Sequence, residues 1–304
     1  PASAPKWRRA ASFARAIRGC YGRAMDAEEM ARSLAVARSI AESLVEPLVA
    51  AQASAVRIEK KGEIDLVTEH DLRTEQVIRE RLHRELPHHR IVAEEEGESG
   101  GEGAVWYVDP IDGTTNFAHG HPFFAVSMGL FEGGVGQVAV VAAPALGKIY
   151  WGSRAAGAFV NDRPLRVSAT DALRDSLLAT GFPYDRWTSN DENFAEYRAV
   201  MKRVRGIRRC GAAALDLCLV AAGTYDGYWE QGLKPWDVAA GSILVELAGG
   251  RTTGYDGSPL GLASGHLVSS NGHIHDALVE VVGEARAEAG LPPFPRSRTS
   301  SGLA

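Results

Sequence analysis

The chain has 304 residues, 45% hydrophobic and 23% charged, with a net charge of −5. That composition is ordinary for a globular protein and long enough for a large core and two domains, and no apolar run approaches the roughly 18 residues of a membrane-spanning helix. The charge is uneven: residues 1–25 carry six basic residues and no acid, leaving the remainder at −11, a balance unsuited to general nucleic-acid binding and suited to collecting divalent cations.

The Arg-, Ala- and Ser-rich stretch 1–25 reads as a loosely ordered basic extension, with a composition that leaves organellar targeting open beside a cytoplasmic location. Asp26-Ala-Glu-Glu29 has the form of a capping box. Met30, Leu34, Ala37, Ala41, Leu44, Val45 and Leu48 then keep helical spacing, which predicts a helix over Ala27–Ala53. A turn at Glu59–Gly62 and a short segment Ile64–Thr68 lead to a second helix, with Leu72, Ile78, Leu82 and Leu86 on its apolar face and Pro87 ending it. Strands follow at Arg90–Ala93, Val105–Val108 and Phe124–Phe131, then, after a Gly133-Gly134 hairpin turn, at Gln137–Ala143, Ile149–Ser153 and Ala158–Val160.

After Val167 the rhythm alternates. Strands at Ser176–Thr180, Gly206–Arg208, Tyr225–Glu230 and His266–Ser270 each precede a helix, at Glu192–Val204, Ala212–Ala222, Asp237–Leu247 and Ile274–Gly283. The expected class is α/β (α+β), with an N-terminal α+β domain over 26–167, a C-terminal α/β domain over 168–285 and a disordered tail over 286–304. Cys20, Cys210 and Cys218 form no CxxC pair and no disulfide framework, which fits a reducing compartment with Cys218 as core filler.

The chemistry concentrates at Trp106–Phe117. An apolar run breaks there into two carboxylates three residues apart, Asp109 and Asp112, followed by Gly113-Thr114-Thr115. Paired carboxylates at a strand end offer hard oxygen ligands to Mg²⁺ or Mn²⁺. Backbone N–H groups and hydroxyls of the turn suit a phosphate oxygen. Three further segments cluster acids beside apolar runs: Asp65–Asp71, Glu94–Glu96 and the Asp237 region. Taken singly, Asp71 or Asp237 reads as a helix cap and Glu94–Glu96 as a solvated loop. His70, His88, His89, His119 and His121 read as surface or turn residues, since no zinc-ligand spacing surrounds them. The glycines of Gly97–Gly103 and Gly249-Gly250 read as turns.

Together, the four acid segments resemble the Mg²⁺-dependent, lithium-sensitive inositol monophosphatase family. The resemblance runs from about Glu28 to Gly283, with both signature stretches present as Trp106–Phe117 and Trp236–Gly250. It implies a layered αβαβα sandwich and a site holding about two or three Mg²⁺ ions, with Mn²⁺ as a substitute. The implied metal ligands are Glu94, Asp109, the Ile111 carbonyl, Asp112 and Asp237. The implied catalytic residues are Glu94 and Thr114, which would activate the attacking water, and Asp71, in the outer shell. The implied substrate contacts are Asp112, Gly113, Thr114, Gly211, Ala212, Ala213, Glu230 and Asp237, with Lys60 on an entrance loop.

The resemblance further implies hydrolysis of a small phosphate monoester, myo-inositol 1-phosphate first, by a homodimer with no membrane role. Histidinol phosphate and other sugar or nucleotide phosphates are the alternatives within the superfamily. An RNA-associated regulatory role, resting on the N-terminal arginines and on Arg203–Arg209, is the alternative of another class. Ala93, Ala212 and Glu96 depart from the usual family pattern and bear on substrate preference. Two physical expectations stand beside these: that Pro110 ends the strand so that both acids enter one pocket, and that Asp237, at a helix start, is fully ionised at neutral pH.

Overall fold

The computed structural model describes residues 25–54, 58–60 and 66–292. The basic extension up to residue 24, Asp65, the Lys60 side chain and the tail from residue 293 lie outside the described residues.

Helices α1 (Ala27–Gln52) and α2 (Glu69–Glu85) come first, joined by a two-stranded ribbon of β1 (Ile58–Lys60) and β2 (Leu66–Thr68). Next comes an eight-stranded sheet in the order β10 (Arg163–Pro164), β9 (Gly157–Val160), β8 (Lys148–Ser153), β7 (Val135–Ala143), β6 (Ala125–Glu132), β5 (Val105–Asp112), β3 (Arg90–Ala93) and β4 (Gly97–Gly100), antiparallel except where β3 runs parallel to β5. Its centre is β5, β6 and β7. These strands read as near-continuous apolar runs because both faces are buried. Val126, Met128 and Leu130 of β6 and Val138 and Val140 of β7 join the core under α1 and α2. Ala125, Ala139 and Val141, one residue out of phase, join the core on the opposite face.

That opposite face is covered by α5 (Ala213–Ala221) and α6 (Pro235–Leu247). Behind them lies a five-stranded sheet in the order β12 (Gly206–Arg208), β11 (Leu177–Thr180), β13 (Gly227–Gln231), β15 (His266–Ser270) and β14 (Arg251–Thr253). Its outer face packs Leu178, Trp229 and Val268 against α4 (Phe194–Met201) and α7 (His275–Glu288). The layers are α1/α2, sheet, α5/α6, sheet, α4/α7: the expected αβαβα sandwich. No helix among the described residues is long and apolar enough to cross a membrane.

Several local expectations are corrected. Leu72 is exposed, at 49%, and the buried face of α2 is instead the polar series Asp71, Glu75 and Arg79 together with Ile78 and Leu82. Gly97–Gly100 is a strand, β4, paired with β3 rather than a turn. His89 is buried, accepting a hydrogen bond from Trp106 Nε1 (3.0 Å) and facing Glu29 Oε1 at 3.1 Å. Helix α7 continues to Glu288, past residue 286 where the tail was expected to begin, and Arg286 is anchored there by the buried Glu196 and the half-buried Asp191.

Candidate active site

Residues three apart in a regular strand point to opposite faces. Asp109 and Asp112 do not, because β5 does not end at Val108; it runs on to Asp112 through a bulge. Asp109 pairs with Ser127 and Asp112 with Ala125, so three residues on β5 advance against two on β6. The extra residue restores the parity and turns both carboxylates to the face of Ser127 and Ala125, toward α5 and α6. Pro110, which has no N–H to give a ladder, sits inside the bulge, where its cost is least. Gly113 then turns the chain in the left-handed region (φ 89°), and a Cβ there would press on Ala212 Cβ and the Gly211 carbonyl at 3.1 Å. This close approach brings the motif against the loop before α5.

Each acid is held by backbone. Asp112 accepts from the first N–H groups of α5: Ala213 at 3.0 Å to Oδ1, Ala214 at 2.8 Å and Leu215 at 3.3 Å to Oδ2. These are donors a helix start leaves without partners. Asp237 accepts from Lys234 N at 2.7 Å in the first turn of α6. Asp109 Oδ1 accepts from Ile111 N at 3.0 Å. Asp71, fully buried, closes a capping box with Thr68 through Oδ2 and takes the Thr114 hydroxyl on Oδ1 at 3.0 Å. It is therefore both a helix-start residue and a site residue. The same hydroxyl lies 3.0 Å from the Ile111 carbonyl. The hydroxyl expected to work with Glu94 is thus seated on Asp71.

Glu94 stands half-buried in the turn between β3 and β4. That turn is built by residues the sequence reading did not single out. Glu75, buried on α2 one turn after Asp71, accepts from Glu95 N (2.8 Å) and Glu96 N (2.9 Å). Arg79, one turn further, bonds Glu75 Oε1 at 2.8 Å and the Gly97 carbonyl at 2.5 Å. The spacing Asp71, Glu75, Arg79, a polar i, i+4, i+8 series, was the available signal.

Glu230, at the end of β13, receives the Tyr228 hydroxyl. Gly181 lies so close that a Cβ there would collide with the Glu230 carboxylate. On the other side, Asn116 of α3 (Thr114–Ala118) donates to the carbonyls of Phe123 (2.7 Å) and Cys210 (2.8 Å), tying the motif to the Gly211–Ala213 loop.

The electrostatics follow from like charges brought together out of water. Burial first, then the charges of Glu94, Asp112, Asp237 and Asp71, push Asp109 well above the usual carboxylate range. Burial raises Asp112 to about 7 against the pull of the α5 N–H groups. Burial raises Glu230 to about 7 against the Tyr228 hydroxyl and the Arg209 charge. Asp237 reaches about 8 through burial, with its Lys234 N–H bond pulling the other way and the charges of Asp112 and Glu230 adding to the rise. This corrects the expectation that a helix start alone keeps Asp237 ionised at neutral pH.

Among the described residues no three of these acids already close on one point as a ready-made ligand set. The donor chemistry nevertheless fits a hard divalent cation: every group is an oxygen, and the repulsion that lifts these carboxylates is what a nearby cation would relieve. A cluster of acids at the end of a strand, beside two helix starts and a Gly-Thr-Thr turn, carries donors chemically suited to a cation and to phosphate.

The comparisons with known proteins make the class specific. The model of the inositol monophosphatase family matches residues 26–287, and the chain belongs to that family of phosphatases. It is 44% identical over 229 residues to the inositol-1-monophosphatase of Synechocystis sp., covering 74% of this chain and 80% of that one. It is 43% identical over 244 residues to the Nus factor SuhB of Pseudomonas aeruginosa, covering 78% and 88%. Among solved structures, the inositol monophosphatase from Anabaena (Nostoc) superposes with a TM-score of 0.72 at 43% identity, over 84% of this chain and 96% of that one. The extragenic suppressor protein suhB from Bartonella henselae gives 0.77 at 38%, over 82% and 98%.

Proposed function

We propose that this chain is a Mg²⁺-dependent phosphatase of small polyol monophosphates, with myo-inositol 1-phosphate as its first substrate. The observation that carries this is the β5 bulge, which puts Asp109 and Asp112 on one face, with the charges of Glu94, Asp237 and Asp71 bearing on Asp109.

Glu94, Asp109, the Ile111 carbonyl, Asp112 and Asp237 would hold the metal. When bound it would neutralise phosphate charge, lower the pKa of a water and stabilise the departing alkoxide. The chain's own groups do the rest. The Thr114 hydroxyl is fixed between Asp71 and the Ile111 carbonyl. Its oxygen can accept a hydrogen bond from the attacking water and pass proton density to Asp71. Water oxygen then bonds to phosphorus, the phosphorus–oxygen bond to the alcohol breaks, and the alcohol takes up a proton. The Gly113 and Thr114 N–H groups would orient phosphate. Glu230, Gly211, Ala212 and Ala213 would face the alcohol, with Glu230 accepting from a substrate hydroxyl. Ala212 supplies no hydroxyl of its own.

A substrate panel tests this. Phosphate release from myo-inositol 1-phosphate should require Mg²⁺ or Mn²⁺, vanish with chelator and fall in millimolar-range lithium. Exclusive cleavage of histidinol phosphate would move the assignment to that alternative.

The regulatory reading rests on relatives named Nus factor SuhB and on the basic run 203–209. Two of its arginines are engaged within the fold, Arg203 with Glu284 at 3.8 Å and Arg205 with Asp175 at 2.9 Å. A salt-dependent RNA mobility shift, lost on removing residues 1–25, would support it. Absence of any shift at low salt would dismiss it. The homodimer expected from the family is likewise a proposal, read by light scattering.

A further inference from the structure

Helix α2 turns one polar edge toward the β3–β4 hairpin and the motif after β5. Its residues follow at i, i+4, i+8 and i+12: Asp71, Glu75, Arg79 and His83. Asp71 takes the Thr114 hydroxyl at 3.0 Å. Glu75 accepts from the N–H groups of Glu95 at 2.8 Å and Glu96 at 2.9 Å, the two residues after Glu94. Arg79 donates to the Gly97 carbonyl and to Ser99 Oγ, both at 2.5 Å. His83 Nε2 lies 3.2 Å from the same Ser99 Oγ.

The hairpin does not need these bonds to close. Ala93 pairs with Gly97 across the three residues 94–96, and Gly97 stands at φ 70°. A left-handed glycine after a three-residue loop closes such a hairpin by itself. Nor does the helix need them for attachment. Ile78 and Leu82, on the same helix, already join the apolar core against the sheet. Glu75 is fully buried and Arg79 is 6% exposed. An ion pair so far from water generally stabilises no better than apolar residues of similar volume.

What the pair supplies is direction. Both peptide N–H groups that follow Glu94 end on one carboxylate, and that carboxylate is itself fixed by Arg79 Nε at 2.8 Å. The pairing also cancels charge. A lone carboxylate behind this loop would add to the repulsion among the site acids, and the guanidinium offsets it. The loop is close enough for the Glu94 charge to bear on Asp109.

We propose that Glu75 and Arg79 are positioning residues for the metal site, holding Glu94 ready to take a divalent cation together with Asp109. They act through Glu94 and not by contact with the cation. The assignment rests on the metal-dependent reading above. Because Asp71 stands one turn earlier on the same helix, α2 also sets the spacing between Glu94 and the Thr114 hydroxyl. Those are the two groups expected to work on the attacking water.

Mn²⁺ binding to the full chain, read by electron paramagnetic resonance of the free ion, tests this beside Mg²⁺-dependent kinetics with myo-inositol 1-phosphate. Glu75→Gln keeps the side chain's size but replaces one acceptor oxygen with a donor amide. It should weaken Mn²⁺ binding, and raise the half-saturating Mg²⁺ concentration, about tenfold. At saturating Mg²⁺ its kcat and KM should return to within about threefold of the parent values. Arg79→Lys keeps the charge but not the fork that reaches Glu75, Gly97 and Ser99 at once, and should weaken binding about threefold. Leu82→Ala, in the apolar core under the same helix, is the control: it should lower Tm and leave Mn²⁺ binding unchanged. Unaltered binding in Glu75→Gln, or equal weakening in Leu82→Ala, overturns the proposal. If Glu75→Gln does not fold, Arg79→Lys decides by the same readout, and unaltered binding there overturns it. A wild type that binds Mn²⁺ no better than these variants leaves the phosphatase reading standing; a wild type that binds none overturns both.

Discussion

Arg286 and Asp109 are both buried, at 4% and 2% exposure, yet their clusters treat charge in opposite ways. Around Arg286 the signs are mixed, one guanidinium meeting two carboxylates. Burial works against its charge, but Asp191 and Glu196 outweigh that and raise its pKa, while the same bonds hold Asp191 below the usual carboxylate range. Around Asp109 every charge has one sign, and burial and repulsion both raise it. The first cluster carries its own cation and fastens α7 to Asp191 before α4 and to Glu196 within it. The second is satisfied by backbone N–H groups only in part and gains from a cation. A buried polar cluster therefore signals a ligand site when its charges are all of one sign.

The largest effect should come from the unbalanced cluster. Asp112→Asn should cut Mg²⁺-dependent phosphate release by well over the roughly 10–100-fold that outer partners of metal sites cost, with an unchanged circular dichroism spectrum. Full activity in that variant would break the comparison. In the mixed-sign cluster the loss should appear in stability instead. Arg286→Met leaves Asp191 and Glu196 without their cation and should cost about 3 kcal/mol in urea unfolding, the low end for a buried pair because Asp191 is 30% exposed. Next, Thr114→Ala should lower kcat about a hundredfold, with Thr114→Ser restoring most of it, since only the hydroxyl reaches Asp71.

The pH dependence sharpens the contrast with a smaller effect. Asp112 and Asp237 rise from 3.8 to about 7 and about 8. Groups raised on folding contribute stability that is fully present below their unfolded pKa and lost as pH climbs through the folded values. The Tm of metal-free protein should therefore fall between about pH 4 and pH 8. Mg²⁺ should raise it more at pH 8 than at pH 5.5, because the ligands must first lose their protons. A metal-free Tm that climbs across this window would contradict the charge assignment. Smallest of all, Gly181→Ala should displace Glu230 and raise KM for the inositol ester a few-fold with kcat little changed.

The sequence made the acid segments legible because their ligands sit in short contiguous runs at element ends. Its strand–helix rhythm likewise located most elements of the sandwich. It misplaced the polar face of α2, since Leu72 and Ile78 share helical spacing with residues of both faces and only packing against the β3–β4 turn chooses between them. It missed the fastening of the segment before α4, which joins Thr180 to Asn193, and Gln231 and Arg286 to Asp191, residues far apart in the chain with no common motif.

Composition and motif by themselves determined a globular α/β chain whose acids gather about a strand-end turn, since local spacing encodes periodicity and turn chemistry. Only the tertiary structure decided that Asp109 and Asp112 share a face, through a bulge defined by pairing with β6. It alone seated the Thr114 hydroxyl on Asp71. It alone showed that burial outweighs the α6 start at Asp237. Register, desolvation and charge balance depend on neighbours distant in sequence, and no reading of adjacent residues contains them.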